Sequence, residues 1–261
     1  MSEIPADGSP TVAVFRPDDE RIDEAVSLLE SLGAEPVPDP MLAVEPTGET
    51  PRTDAEYAIL TSKTGAELVS DAGWQPGEAT VCAIGPATAD ALREEGYAVD
   101  IVPEEFTSSG LVSVLDGTAR TATDREDGNE ALVDGARVEV ARSDHGSEVL
   151  LSGLEAAGGY LHETVLYRLV RPDGSGVSAE RAAAGELDAA CFTSSLTVEH
   201  LLEAAEARGI REGALAGLET ATVGAIGEPT RQTAESNGID VDVVPAEATF
   251  DALARAVLEN A

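Results

Sequence analysis

Small hydroxylated residues recur where short apolar runs of this chain stop. Thr61, Ser62 and Lys63 follow YAIL, and Thr193, Ser194 and Ser195 follow AACF. Thr88 and Thr230 close the turns GPAT and GEPT, while Arg16 and Arg142 terminate the runs TVAVF and VEVA. In open parallel α/β sheets, ligands bind outside the carboxyl ends of the strands. Helices that start there present free N–H groups and partial positive charge, which suit carboxylates or phosphates. Serine and threonine at such places also serve as plain N-caps. The same chemistry at matching places in two halves of the chain favours a shared cleft. These ten residues are therefore the candidate ligand-binding set. Each arginine can pair with a ligand carboxylate or form a structural salt bridge. Lys63 is the only lysine of the chain, and its retention in one of these turns favours a role.

Other chemistry is not encoded. There is no GxGxxG, Walker loop, CxxC or HExxH pattern. His145, His162 and His200 lack metal-ligand spacing and read as surface residues. Cys82 and Cys191 sit inside apolar runs and read as buried free thiols. An enzyme of this composition works without metal or nucleotide, by positioning its substrate.

The elements that would hold these turns occur twice. VCAIGPATADALREEGYAVDIVP from Val81 and VGAIGEPTRQTAESNGIDVDVVP from Val223 align without a gap at an offset of 142 residues. A period so long is not that of a solenoid, whose units run to roughly 20–50 residues. YAILTS likewise matches AACFTS, and TVAVFR matches RVEVAR. Between the short apolar runs lie helical patterns: Ile22, Val26, Leu29 and Leu32 share one face, and Gly33 fits a C-terminal cap. Pro86 and Pro229 stand where a helix's first turn tolerates proline. Alternating strands and helices predict doubly wound parallel α/β layers. Residues 34–51 carry five prolines in 18 residues, and with residues 161–174 they read as extended connectors. Residues 1–10 read as a frayed tail and 116–134 as an exposed loop.

Composition limits the partners. The 261 residues include 50 acidic and 16 basic ones, a net charge of −34, with 43% hydrophobic and 3% aromatic residues. The acids are scattered, which fits solubility in concentrated salt and an extremely halophilic source. Nucleic acid is excluded as a partner, because phosphate contacts need stripes of Lys and Arg. The polar, acidic start MSEIPADGSP does not read as a signal peptide. No apolar run approaches the ~18 residues of a membrane helix. A cytoplasmic protein is expected.

The order of these pieces resembles uroporphyrinogen-III synthase. The resemblance rests on the paired Thr-Ser strand ends, the IGPAT and IGEPT turns, the two Val-Pro turns followed by Thr107 and Thr249, and ETVLYR at 163–168. It covers nearly all of residues 11–258. It implies two flavodoxin-like α/β domains joined by a two-stranded β-ladder, from an internally duplicated sequence. One domain would take 1–37 plus 170–261, the other 43–163, with the ladder at 36–46 and 163–172. TVAVF would then share a sheet with AACFT and TVGAI. The implied reaction cyclises hydroxymethylbilane, inverting ring D through a spiro intermediate and losing water, with no cofactor.

By the same resemblance Tyr167 is the candidate general acid, and Thr61, Ser62, Thr88, Ser194 and Thr230 line the cleft. Glu228 departs from the pattern, since an acid stands in a turn that should bind acids; it must point away or pair with an arginine. A monomer is implied, with hand-over from hydroxymethylbilane synthase. The rival expectation is a non-catalytic two-domain binding module for a small anion or tetrapyrrole. A flavodoxin-like electron-transfer pair is disfavoured by the scarcity of aromatics.

Overall fold

The structure is a computed structural model and describes residues 8–119 and 132–261. The tail reading for residues 1–7 and the loop reading for 120–131 fall outside the described residues. The elements begin β1 (Thr11–Phe15), α1 (Glu20–Ser31), β2 (Glu35–Pro38), β3 (Ala43–Pro46), β4 (Tyr57–Leu60), α2 (Lys63–Asp71), β5 (Thr80–Ala83), α3 (Pro86–Glu94) and α4 (Ser108–Leu115). They continue β6 (Arg137–Ser143), α5 (Glu148–Ala156), β7 (Tyr160–Val170), α6 (Val177–Ala184), β8 (Ala189–Phe192) and α7 (Ser195–Ala207). The last are α8 (Arg211–Leu218), β9 (Thr222–Ala225), α9 (Glu228–Ser236) and α10 (Phe250–Leu258). The chain divides into two compact units, Met1–Ala43 with Val170–Ala261, and Val44–Leu169.

The first unit holds a four-stranded sheet in the order β2-β1-β8-β9, parallel throughout. Successive residues of a strand face opposite sides, and both sides here are covered. Ala13, Phe15, Ala190 and Phe192 pack towards α6, α7 and α8, whereas Val12, Val14, Ala189 and Cys191 pack towards α1 and α10. Phe15 and Phe192 stack across neighbouring strands at 4.7 Å between ring centroids. Both are fully buried, and each contributes about 1.5–3 kcal/mol by leaving water. α1 starts at Asp19, whose carboxylate caps the Arg21 N–H, and buries Ile22, Ala25 and Leu29.

The second unit holds a five-stranded sheet in the order β3-β7-β6-β4-β5. β4 runs parallel to β5 and β6, and β6 parallel to β7. Ala58, Leu60, Val81 and Ala83 face α2 and α3, while Ile59, Cys82, Val138 and Val140 face α4 and α5. Ser62 caps α2 and Thr107 caps α4 through their side chains. Gly85 starts α3 with Pro86 in its first turn, as the sequence predicts.

The connector at 34–51 is extended but not continuous: Glu35–Pro38 is β2, at the edge of the first sheet, and Ala43–Pro46 is β3, beside β7 in the second. An edge strand has one unpaired side, so prolines fit there without loss of a ladder hydrogen bond. The second connector is also built into a sheet, since Tyr160–Val170 forms β7 between β3 and β6. Cys82 and Cys191 are free and buried, as expected. Burial pushes the Cys82 thiol far up, with Asp100 adding to it, and pushes Cys191 up to about 12.

Candidate functional site

In the second unit, the carboxyl end of β4 delivers Thr61 and Ser62 to the start of α2. Ser62 has extended backbone, and its Oγ accepts the Gly65 N–H at 2.9 Å. The Tyr167 hydroxyl donates to the same oxygen at 3.0 Å. A β-bulge makes this contact possible. Between Arg142 and Ser143 the register with β7 jumps from Val165 to Tyr167. Leu166 and Tyr167 are consecutive, yet both enter the core shared with α2 and α3. A bulge re-aims side chains in this way. Tyr167 is only 6% exposed.

The other predicted residues of this unit have different surroundings. Thr88 is the third residue of α3 and buried. Lys63 is the first residue of α2, exposed, and 3.6 Å from Glu67 one helical turn on. Arg142 is buried in a network of its own. Its Nε donates to Glu163 Oε1 at 2.6 Å, Nη1 to the Ser147 carbonyl at 2.9 Å and Nη2 to Glu148 Oε1 at 3.0 Å. Burial alone would lower its pKa, but the hydrogen bonds to Glu163 and Glu148 outweigh this and raise it. Of its two sequence readings, the structural ion pair is the one present. Gly146 belongs to this arrangement, since a Cβ there would sit 2.4 Å from Arg142 Cδ.

In the first unit, β1 ends at Arg16. Its guanidinium lies 5.3 Å from the centre of the Phe250 ring, and its buried Nε has no hydrogen-bond partner. Burial lowers the Arg16 pKa and Arg21 adds to the effect, against Asp19 and Glu24. Thr193, at the end of β8, donates its hydroxyl to the Phe15 carbonyl at 2.5 Å and so fastens two strand ends together. Ser194 caps α7 in a capping box with Thr197. Ser195 donates to the Pro229 carbonyl at 3.2 Å and accepts from Thr233 at 2.8 Å, tying α7 to α9. Thr230 is the third residue of α9 and buried, the counterpart of Thr88. Glu228 lies 3.8 Å from Arg231 and accepts from Gln232, the arginine pairing expected of it.

Three helices start on glycine: α3 at Gly85 in the second unit, and α6 at Gly176 and α9 at Gly227 in the first. The start of α6 is occupied by Asp39, whose carboxylate accepts from the Gly176 and Ser178 N–H groups, whereas the starts of α3 and α9 have no side-chain cap. Such a start leaves backbone N–H groups available for anions. The matched pair of turns in the sequence is the signal for both.

Several functional-looking groups were not foreseen. His200 is a correction: it is buried, with Nδ1 against the Met41 carbonyl. The residue is on the inward face of α7, a helix buried on more than one side. His145 and His162 are half-exposed and pair with Asp144 and Glu139. Glu139 is fully buried and also accepts from Thr164. A cavity of about 480 Å³ runs along β7, lined by Glu45, Thr47, His162, Glu163, Thr164 and Arg168 among others. It contains none of the predicted site residues. Its acid Glu163 is spent on Arg142 and its His162 on Glu139. Among the described residues, no group of three or more His, Cys, Asp or Glu side chains is arranged to hold a metal ion.

Doubly wound parallel units with hydroxyl-bearing strand ends define the class: a two-unit parallel α/β protein. The family model described as uroporphyrinogen-III synthase HemD matches residues 23–255, and the chain belongs to that family. A protein of Methanothermobacter thermautotrophicus named "Putative uroporphyrinogen-III synthase" is 33% identical over 243 residues, covering 87% of this chain and 90% of that protein. A protein of the same name from Archaeoglobus fulgidus is 29% identical over 198 residues, covering 75% and 76%. Among solved structures, a mutant uroporphyrinogen III synthase of Thermus thermophilus has a TM-score of 0.63 at 19% identity, covering 97% of this chain and 100% of that one. The Helicobacter pylori uroporphyrinogen-III synthetase has a TM-score of 0.55 at 14% identity, covering 96% and 100%. These structural likenesses establish the fold.

Proposed function

We propose that this protein is a uroporphyrinogen-III synthase that closes hydroxymethylbilane into the type III macrocycle without a cofactor. The observation that carries the chemistry is the Tyr167 hydroxyl on Ser62 at 3.0 Å, a proton-donating pair at the carboxyl end of β4. Loss of the substrate's terminal hydroxyl as water needs a proton, and a positioned acid typically contributes ~10²–10⁴-fold. The resulting cation is attacked by ring D at its substituted carbon. The spiro intermediate so formed breaks and recloses with ring D inverted. Holding the two ends of a flexible chain together is an orientation problem, where positioning contributes ~7–11 kcal/mol.

Eight substrate carboxylates must be held by a chain with a net charge of −34. The glycine starts of α3 and α9 offer backbone N–H groups for this, and Arg16 offers an unpaired Nε. Thr61, Ser62, Lys63, Thr88, Thr193, Ser194, Ser195 and Thr230 complete the binding set. Thr193 and Ser195 contribute mainly by fixing the strand and helix ends. Arg142 belongs to the set only by holding β6 and β7 in register.

The protein acts as a cytoplasmic monomer that receives its substrate from hydroxymethylbilane synthase. Among the described residues no helix is long and apolar enough to cross a membrane, which supports a site of action away from the bilayer. The repeat of the IGPAT and IGEPT turns supports an origin by internal duplication. The test is direct: incubate the protein with freshly made hydroxymethylbilane in molar KCl and separate the type I and type III products. Type III is expected; type I alone, at the spontaneous rate, refutes the activity.

A further inference from the structure

We propose that Ser62 hands the proton to the departing hydroxyl, and that Tyr167 is the positioning residue that polarises Ser62 and resupplies it. The proposal rests on the synthase reading above and assigns the donor within that site.

Three features carry it. Tyr167 is 6% exposed, with its ring in the core beside Leu60, Ala66 and Leu166. A phenol so placed has little access to a bulky tetrapyrrole. Ser62 keeps partial exposure at the end of β4. Second, the Ser62 oxygen receives two hydrogen bonds, from the Gly65 N–H at 2.9 Å and from the Tyr167 hydroxyl at 3.0 Å. A hydroxyl has two acceptor lone pairs and one proton. With both lone pairs engaged, the proton is what Ser62 has left to offer. Donation into an oxygen strengthens the bond its own proton makes, because chained hydrogen bonds polarise one another.

Third, the approach is prepared on both sides. The bulge at Leu166 turns Tyr167 to the face of α2. Gly65 leaves the necessary space, since a Cβ there would stand 3.0 Å from Ser62 Oγ and 3.3 Å from Leu166 Cδ1.

The step balances as follows. The Ser62 proton moves to the substrate hydroxyl, the C–O bond breaks, and water leaves as the pyrrole nitrogen's lone pair stabilises the cation. The Tyr167 proton moves to Ser62, and the negative charge rests on the phenolate, a better seat for it than an alkoxide. The proton lost when the macrocycle closes returns along the same two oxygens. Atoms and charge are then restored.

The experiment measures kcat and KM for type III formation with the wild type, Tyr167→Phe, Ser62→Ala, Ser62→Asn, Ser62→Thr and the double variant Ser62→Ala/Tyr167→Phe. Ser62→Asn keeps a cap for α2 but has no transferable proton, so it covers the case in which Ser62→Ala fails to fold. A relay predicts that Ser62→Ala, Ser62→Asn and Tyr167→Phe each lower kcat by ~10²-fold or more with KM changed less than threefold. The double variant should fall no further than the worse single one, and Ser62→Thr should recover most of the rate. Near-normal kcat in Ser62→Asn with a large loss in Tyr167→Phe overturns the proposal and makes Tyr167 the direct acid. Losses that multiply in the double variant overturn it as well. A wild type that yields only type I product refutes the activity itself, a different outcome from either.

Discussion

Arg142 Nε lies 2.6 Å from Glu163 Oε1, joining the end of β6 to the middle of β7. The guanidinium is 4% exposed and the carboxylate 34%. Its position next to the register shift at Arg142/Ser143 matters, because that shift turns Tyr167 towards Ser62. Removing one partner of a buried pair leaves the other without compensation, which costs ~3–5 kcal/mol when both are fully buried.

Arg142→Met should therefore destabilise the protein by ~1–3 kcal/mol, less than the full range because Glu163 is partly solvated. Substrate KM should change little, as this arginine faces Glu163 and Glu148. Denaturant unfolding with parallel kinetics checks both. A variant of normal stability with a tenfold higher KM would return Arg142 to the substrate.

Arg16 is predicted to behave in the opposite way. It sits over Phe250 with a buried Nε that lacks a partner. A hydrogen bond to a charged group contributes ~1.5–3 kcal/mol, so Arg16→Ala should raise KM by roughly 10–100-fold with kcat nearly unchanged. Arg16→Lys should recover only part, because the ammonium lacks the planar fork. Stability should fall modestly through the lost ring contact. An unchanged KM would leave Arg16 as a packing residue.

The contrast between the two arginines marks how far the sequence is legible. Both follow apolar strands, and nothing local distinguishes them. What separates them is Glu163, 21 residues from Arg142, and Phe250 on the last helix, and neither partner is predictable from spacing. The strand ends themselves are legible, since hydrophobic runs, prolines and caps are local signals: YAIL, AACF, Pro86 and Ser194 all form what their pattern predicts. Sheet neighbours are not. β1 pairs with β8 across most of the chain, and only the family resemblance carries that information. β2 was missed because its prolines argue against a strand unless it lies at an edge. The Tyr167–Ser62 contact was hidden for a further reason. Strict alternation would put Leu166 and Tyr167 on opposite faces, and a bulge leaves no mark in the residue types.

Asp144 gives a prediction in pH. Burial alone would raise its pKa, but hydrogen bonds from His145 and from the Leu169 N–H prevail and hold it below the ordinary carboxylate value. A carboxyl depressed by folding stabilises the native state above its unfolded pKa of about 3.9. That contribution is lost as pH falls through the lower, folded value. Asp144→Asn should lower stability at pH 7 and narrow its gap to the wild type as pH falls below about 4. Unfolding midpoints from pH 7 to pH 3 in molar KCl check the difference. A gap that stays constant would mean that Asp144 acts through shape and neutral hydrogen bonding alone.

The last prediction concerns salt. With 50 acidic residues against 16 basic ones, the folded chain repels itself, and an octa-anionic substrate must approach a negative surface. Among the described residues most ion pairs are exposed ones within a single helix or turn, such as Lys63–Glu67 and Arg255–Asp251. Exposed pairs contribute little and are screened by salt, so salt sacrifices little attraction while it removes much repulsion. The Debye length falls from ~10 Å at 0.1 M to ~3 Å at 1 M. Stability and apparent substrate affinity should therefore both rise from low to molar KCl. The backbone N–H groups at Gly85 and Gly227 act at hydrogen-bond range and should survive that screening. KM measured across a KCl series, with folding followed in parallel, separates the cases. Rising stability with falling affinity would mean that direct charge pairs, through Arg16 or Lys63, dominate substrate binding. A flat response in both would remove the halophilic explanation for the acidic surface.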